Sequence, residues 1–208
     1  MQQQCGELEE ADKNVKASLD LQQKELNLND REKCLKVFSI HSKNAEISLD
    51  KEDYLTADEA LTKAIELLTE DEEFEKGKKI RERGEIKFKK GEIREAERDF
   101  ELSEHIFKNL TQKAEDKRKS VNRGYFFSFL TLICSSTTQE ELEQEKEERL
   151  KEIDEIEKEI ENLKEEIDDE LIKVNNSLKE VAVYAEDKDK YEIYVKKARA
   201  YLLEIQSR

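Results

Sequence analysis

Histidine is the side chain that most readily moves protons or binds metal near neutral pH, and this 208-residue chain has two, His41 and His105. Metal sites on helices place ligands one turn apart, as HxxxH or Glu-x-x-His, facing matching ligands on a second helix. Neither histidine has such a neighbour. His105 follows Glu101 and Glu104, but no second set of ligands is legible, so both histidines read as structural or exposed. The cysteines Cys5, Cys34 and Cys134 are odd in number and contain no CxxC pair, which argues against zinc and against a disulfide framework. Cys134 sits in an apolar run and reads as a small buried hydrophobe. No glycine-rich phosphate loop is present, and no Ser or Cys nucleophile has a recognisable base. The expectation is a protein that is not an enzyme and uses no metal or cofactor.

The chain has no proline and five glycines, and 44% of its residues are charged. Such a composition, rich in Glu, Lys, Leu and Ile, predicts long helices joined by short turns, an all-α fold. The net charge of −15 argues against nucleic acid and anionic lipid as partners. The opening stretch MQQQCGELEEADKNVKASLD has no apolar core, so no signal peptide is expected and a reducing cytoplasm is the assumed setting.

Residues 2–27 carry Leu8, Ala11, Val15, Leu19 and Leu26 at loosely helical spacing, and NLND at 27–30 supplies a break with Asp30 as N-cap. Helices are predicted over 31–50, 53–69, 72–90, 93–115 and 117–134. Thr138 with Glu141 forms a capping box for a long charged helix over 139–185. Its apolar positions, Ile153, Ile156, Ile160, Leu163, Ile167, Leu171, Val174, Leu178 and Val181, form a heptad seam with one stutter at Leu171. EDKDK at 186–190 breaks it, and a terminal helix follows with Tyr191, Tyr194, Val195, Ala198, Leu202 and Ile205 on one face.

The 52–71 and 91–110 stretches align at an offset of 39. Ala57 matches Ala96, Leu61 matches Phe100, Ala64 matches Ser103, and in the preceding helices Ala45 falls opposite Gly84. Forty residues on lies Gly124, where RGYFFSF begins as RGEIKF does. Small residues let antiparallel helices approach, and a large one a turn later fills the gap.

This pattern resembles the tetratricopeptide repeat (TPR), a helix-turn-helix unit that stacks into a solenoid. The match is carried by Ala45, Tyr54, Ala57, Leu61 and Ala64 in one unit, by Gly84, Gly91, Ala96, Phe100 and Ser103 in the next, and by Gly124 in a third. It covers about residues 38–134; Gly6 hints at a degenerate earlier unit. The period of 39–40 exceeds the family's usual 34, and the family's Trp and Pro marks are missing. The resemblance implies a binding scaffold whose first helices line a groove for a peptide or partner helix. A subset of the family grips C-terminal carboxylates through an Asn, but Glu46, Glu85 and Tyr125 stand at the equivalent positions, so that use is not expected.

Taken together, these readings divide the chain into an N-terminal helix over 1–30, TPR-like repeats over 31–136, and a hairpin of long and short helices over 137–208. Residues 76–94 hold nine Lys/Arg against three Asp/Glu, and 140–170 hold five against seventeen. Lys78, Arg81, Glu85 and Lys89 are therefore the candidate partner-binding residues, selecting an acidic protein or peptide, with the 150–181 seam a route to self-association. The apolar block at 124–134 is too short to span a bilayer, which needs ~20 residues. It is expected to lie buried, with Tyr125, Phe129, Leu132 and Ile133 on one face and Phe126, Leu130 and Cys134 on another. The alternatives are a membrane-active helical protein inserting that block and a coiled-coil oligomerisation adaptor.

Overall fold

A computed structural model of the chain describes residues 31–134 and 139–206, with the side chains of 122, 125–134, 139–146, 149, 188, 198 and 204–206 outside the description. The readings on residues 1–30, on the Thr138 capping box and on the two faces of the apolar block lie outside the described residues. The described chain is all-α. Its helices are α1 (Arg31–Asp50), α2 (Tyr54–Glu66), α3 (Glu73–Lys89), α4 (Ile93–Cys134), α5 (Gln139–Tyr184) and α6 (Lys188–Gln206), with a 3-10 turn at Glu70–Glu72.

Short polar segments set the helix ends. Asp53 caps α2, its carboxylate accepting the Thr56 N–H at 3.2 Å. Before α3, the Glu72 carboxylate accepts both the N–H and the hydroxyl of Thr69, at 2.9 and 3.0 Å. Arg31, at the start of α1, donates to the Leu67 carbonyl at 2.7 Å and pairs with Glu72, fastening α1 to the α2–α3 junction.

Three corners share one backbone design. At α1–α2, the Glu52 N–H donates to the Leu49 carbonyl and the Asp53 N–H to the Ser48 carbonyl. At α3–α4, Gly91 donates to Phe88 and Glu92 to Lys87, each position 39 residues further on. At α5–α6, Glu186 donates to Val183 and Asp187 to Ala182. These are the paired bonds of a Schellman motif, whose central residue must take a left-handed conformation. Glu52, Gly91 and Glu186 have φ of 59°, 82° and 57°.

The break expected near residue 116 does not occur, and α4 runs unbroken for 42 residues. Nothing between Gln112 and Val121 is a glycine or proline. Ala96, Phe100, Ser103, Phe107 and Ala114 are buried, with Leu110 and Val121 half-buried. Residues 116–120 are all exposed, so the covered stripe lapses there, but with no glycine or proline to break the backbone the helix continues through the lapse.

The chain divides into two compact units, Met1–Ile106 with Ile172–Arg208, and Phe107–Leu171. In the second, Arg118 lies 4.0 Å from Glu157 and from Glu161, and Lys164 lies 3.9 Å from Glu115, so the two helices run antiparallel. Phe107, Ala114, Ile160, Ile167 and Leu171 are its buried apolar residues. The seam of α5 differs from its expected form. Leu163 is 37% exposed, whereas Lys164 is 8% exposed. With Lys164 in place of Leu163, the buried positions 160, 164, 167, 171, 174, 178 and 181 alternate by four and three, and the stutter moves to Ile156–Ile160–Lys164.

In the first unit, Ala45, Ala57, Ala60, Leu61 and Ile86 form an apolar cluster against which Leu49 and Tyr54 pack. Ile86 of α3 thereby closes over the α1–α2 hairpin.

Candidate interaction surface

Of the residues expected at hairpin-packing positions, Gly91 is exposed at its corner and Tyr54 is half-buried. Ala45, Ala57, Leu61, Ala64, Ala96, Phe100 and Ser103 are all 2% exposed or less. Gly84 lies directly on the Phe100 ring, where a Cβ would stand 2.8 Å from Cε1 and 3.0 Å from Cδ1. One turn away, the Ser103 hydroxyl donates to the Gly77 carbonyl at 2.9 Å, a second close approach of α3 and α4. Gly124 is different. It is exposed and has nothing within 4 Å of where a Cβ would be, because α4 continues past it without a turn that could return a packing helix.

Polar contacts tie the same helices together. Asp99 of α4 accepts two bonds from Arg83 and one from Lys87, each at 2.8 Å, and Arg83 also reaches the Thr62 hydroxyl of α2 at 3.4 Å. The Asp99 hydrogen bonds hold the Arg83 guanidinium above its already high range, against the opposing effect of burial. Lys90 pairs with Asp58 at 2.7 Å, joining the end of α3 to α2.

Lys78, Arg81, Glu85 and Lys89 recur at spacings of three and four, which gathers them on one face of α3. Their charges are matched locally. Lys78 lies 3.1 Å from Glu75 and 5.5 Å from the Phe74 ring centre, Arg81 pairs with Glu85, and the Lys89 ammonium stands 6.0 Å over the Tyr54 ring. Burial pushes the Glu85 carboxyl up, while Arg81 pulls it back. The face is thus an array of half-covered charges over aromatic rings.

Two features were not read from the sequence. The first is an open cleft of about 580 Å³ lined by Phe88, Asn176, Lys179, Glu180, Val183, Tyr184 and Tyr191. Phe88 meets Tyr184 edge-on at 5.8 Å between ring centres. Only long-range contact could show it, because Phe88 and Tyr191 lie about a hundred positions apart.

The second is the seat of α6. Glu97 accepts Lys190 Nζ at 2.6 Å and the Tyr194 hydroxyl at 3.2 Å, and Glu104 accepts Lys197 Nζ at 3.1 Å and the Tyr201 hydroxyl at 3.3 Å. The two clamps are one unit repeated after seven residues on both helices, so α6 runs parallel to the start of α4. Burial, then the Glu97 and Glu101 charges, push the Tyr194 hydroxyl well above the usual tyrosine range, and the Lys190 ammonium is raised by its own hydrogen bond to Glu97. The face expected to pack is covered in part, at Tyr194 and half-buried Val195. Tyr191 and Leu202 are exposed, while Tyr194 is buried and Tyr201 half-buried. The signal was present as Lys-x-x-x-Tyr at 190–194 and again at 197–201.

Among the described residues no group of three or more His, Cys, Asp or Glu could hold a metal ion, and no helix is long and apolar enough to cross a membrane. His41 is 5% exposed on α1, and burial, aided by Lys63, lowers its pKa.

Fold and surface together define an all-helical protein of six packed helices among the described residues. Compared with known proteins, the chain matches no protein-family model, and no curated protein sequence matches it either.

Proposed function

We propose that this chain is a non-enzymatic protein–protein interaction scaffold, built from two TPR-like helical hairpins and a long helical extension. The observation that carries the reading is the equivalence of the α1–α2 and α3–α4 hairpins at an offset of 39. It extends from the small buried residues at 45/84, 57/96 and 64/103 to each corner hydrogen bond and to the left-handed residue at 52/91. A backbone repeat of this kind stacks first helices side by side and offers their outer faces to a ligand. The face of α3 bearing Lys78, Arg81, Glu85 and Lys89 is the recognition surface, and an acidic protein segment is its ligand. Lys78 and Lys89 keep their ammonium groups near solvent on that face, while Arg81 is held against Glu85.

The test compares capture of partners by the intact chain with capture by the Lys78→Glu, Arg81→Glu, Lys89→Glu variant at low and high salt. Loss of retained proteins by roughly tenfold or more in the variant, with salt sensitivity in the native chain, is expected for a charge-steered groove. Equal retention by both chains rejects the reading.

A further inference from the structure

We propose that the cleft between the end of α3 and the α5–α6 corner binds a methylated ammonium group, carried by a small quaternary amine or by a methylated lysine side chain. Its walls are aromatic and its rim is acidic, the pairing that recognises a bulky, weakly hydrated cation.

The rings come from three helices of one compact unit. Phe88 stands at the end of α3, Tyr184 at the end of α5 and Tyr191 in the first turn of α6, and all three line one open space of about 580 Å³. Phe88 and Tyr184 meet at 75° between ring planes, with centres 5.8 Å apart, so they stand as two walls of a corner. Tyr184 and Tyr191 are 67% and 42% exposed, which leaves ring surface for a ligand.

Aromatic walls alone would suit any apolar group, and the charges narrow the choice. Glu180 lines the cleft, and a hollow of about 380 Å³ that shares Val183 and Tyr191 adds Glu186 and Asp187. Against these three carboxylates stands one cation, Lys179. Among the described residues neither Glu180 nor Glu186 has an ion-pair partner, while the Asp187 carboxylate accepts the Lys190 N–H at 3.0 Å. An anion would be repelled here, and no group in the described residues could hold a metal ion. A plain ammonium gives up strong hydration to enter such a cleft, whereas methyl groups spread the charge over a surface that packs on the rings.

The frame is fixed before a ligand arrives. Glu186 donates to the Val183 carbonyl, Asp187 to Ala182, and Tyr191 to Asp187 at 3.0 Å, which ties the end of α5 to the start of α6. Backbones held in this way lower the ordering cost of binding. The site takes a cation, whereas the charged face of α3 takes an acidic segment, so neither reading rests on the other.

The test titrates choline and its neutral isostere neohexyl alcohol, with carbon in place of the nitrogen, into the full-length chain by calorimetry. Choline is expected to bind at least about tenfold more tightly, because only the cation gains from ring faces and carboxylates. Tyr184→Leu and Tyr191→Leu keep apolar volume, and each should weaken choline about tenfold while leaving neohexyl alcohol within about twofold. Glu180→Gln should weaken choline about threefold, and Lys179→Gln should tighten it by a similar factor. Binding of the alcohol as tight as that of choline, or choline binding indifferent to both tyrosine variants, overturns the proposal. An alanine–glycine peptide with one trimethyllysine separates the two sources. Affinity at least about tenfold above choline assigns the site to a modified protein tail, and affinity equal to choline assigns it to small amines. An unmethylated twin that binds as well as the methylated peptide overturns the proposal, as does the absence of saturable binding by choline and methylated peptide alike. Ring-proton shifts in the unmodified chain guard against a variant that fails to fold: Phe88, Tyr184 and Tyr191 should move as the probe saturates, and shifts confined to other residues overturn the proposal.

Discussion

His41 sits in α1 with its ring 5% exposed, and burial disfavours its charged form. Its folded pKa lies below the unfolded value, so the unfolded chain takes up the proton first. The contribution is complete above the unfolded value, near 6.5, and is lost as pH falls through that value towards the folded one. Thermal melts between pH 7 and pH 5 should therefore show falling stability, and His41→Leu should flatten that slope. Gly84 makes a second residue-scale case. Alanine in place of a mid-helix glycine gains ~1 kcal/mol from propensity, yet here its Cβ would meet the buried Phe100 ring at 2.8 Å. Overpacking costs ~1–3 kcal/mol, so Gly84→Ala is expected to lower stability in urea denaturation, and a stabilised variant would contradict the contact. The small-residue pattern made Gly84 and Phe100 legible in the sequence, since a glycine inside a helix asks for a reason. His41 was legible only as structural or exposed, because no local pattern says which side of α1 is covered.

At the scale of the helices, the three corners give a comparison within one molecule. Glu52 and Glu186 occupy a conformation that costs an L-residue ~1–2 kcal/mol, partly offset because glycine loses more chain entropy on folding. Glu52→Gly and Glu186→Gly should each stabilise by about 0.5–1 kcal/mol, while Gly91→Ala should destabilise by about 1 kcal/mol. Denaturant midpoints of the three variants check the order. In α5, Lys164 holds a seam position with Glu115 at 3.9 Å as its ion-pair partner. A buried ion pair is often no better than an apolar residue of similar volume, so Lys164→Leu should gain about 1 kcal/mol. A loss of that size would mean the Glu115 pair is stronger than its distance implies. The seam itself was readable from 3-and-4 spacing. Choosing between neighbours 163 and 164 was not, because one residue is a rotation of ~100° and hydrophobicity favours the leucine.

For the whole molecule, the balance of charge sets the response to salt. The net charge is −15, and seventeen of the acidic residues lie within 140–170. Self-repulsion of that kind destabilises a folded chain, while individual exposed pairs contribute only ~0.3–0.5 kcal/mol each. Screening should therefore raise the melting temperature between low and moderate salt. The seat of α6 should respond in the opposite sense, losing amide protection under the same change. Calorimetry and hydrogen exchange across one salt series measure both, and parallel responses would show that α6 is held as the core is. The two compact units add a structural reason for local responses, since α4 and α5 each contribute one stretch to either unit.

What the sequence determined by itself is the helical class and the positions of the helix breaks near 51–53 and 186–188. Each is local: absent proline, heptad spacing and single glycines act within a turn or two of where they stand. Tertiary structure decided what each helix packs against. It carried α4 through the expected break, put Lys164 in the seam in place of Leu163, and added the Lys190 and Lys197 contacts to the seat of α6. The reason is common to all three. A helix's period says that a stripe exists, but the covered stripe is chosen by what lies opposite, and for α6 that was a pair of carboxylates about ninety residues away.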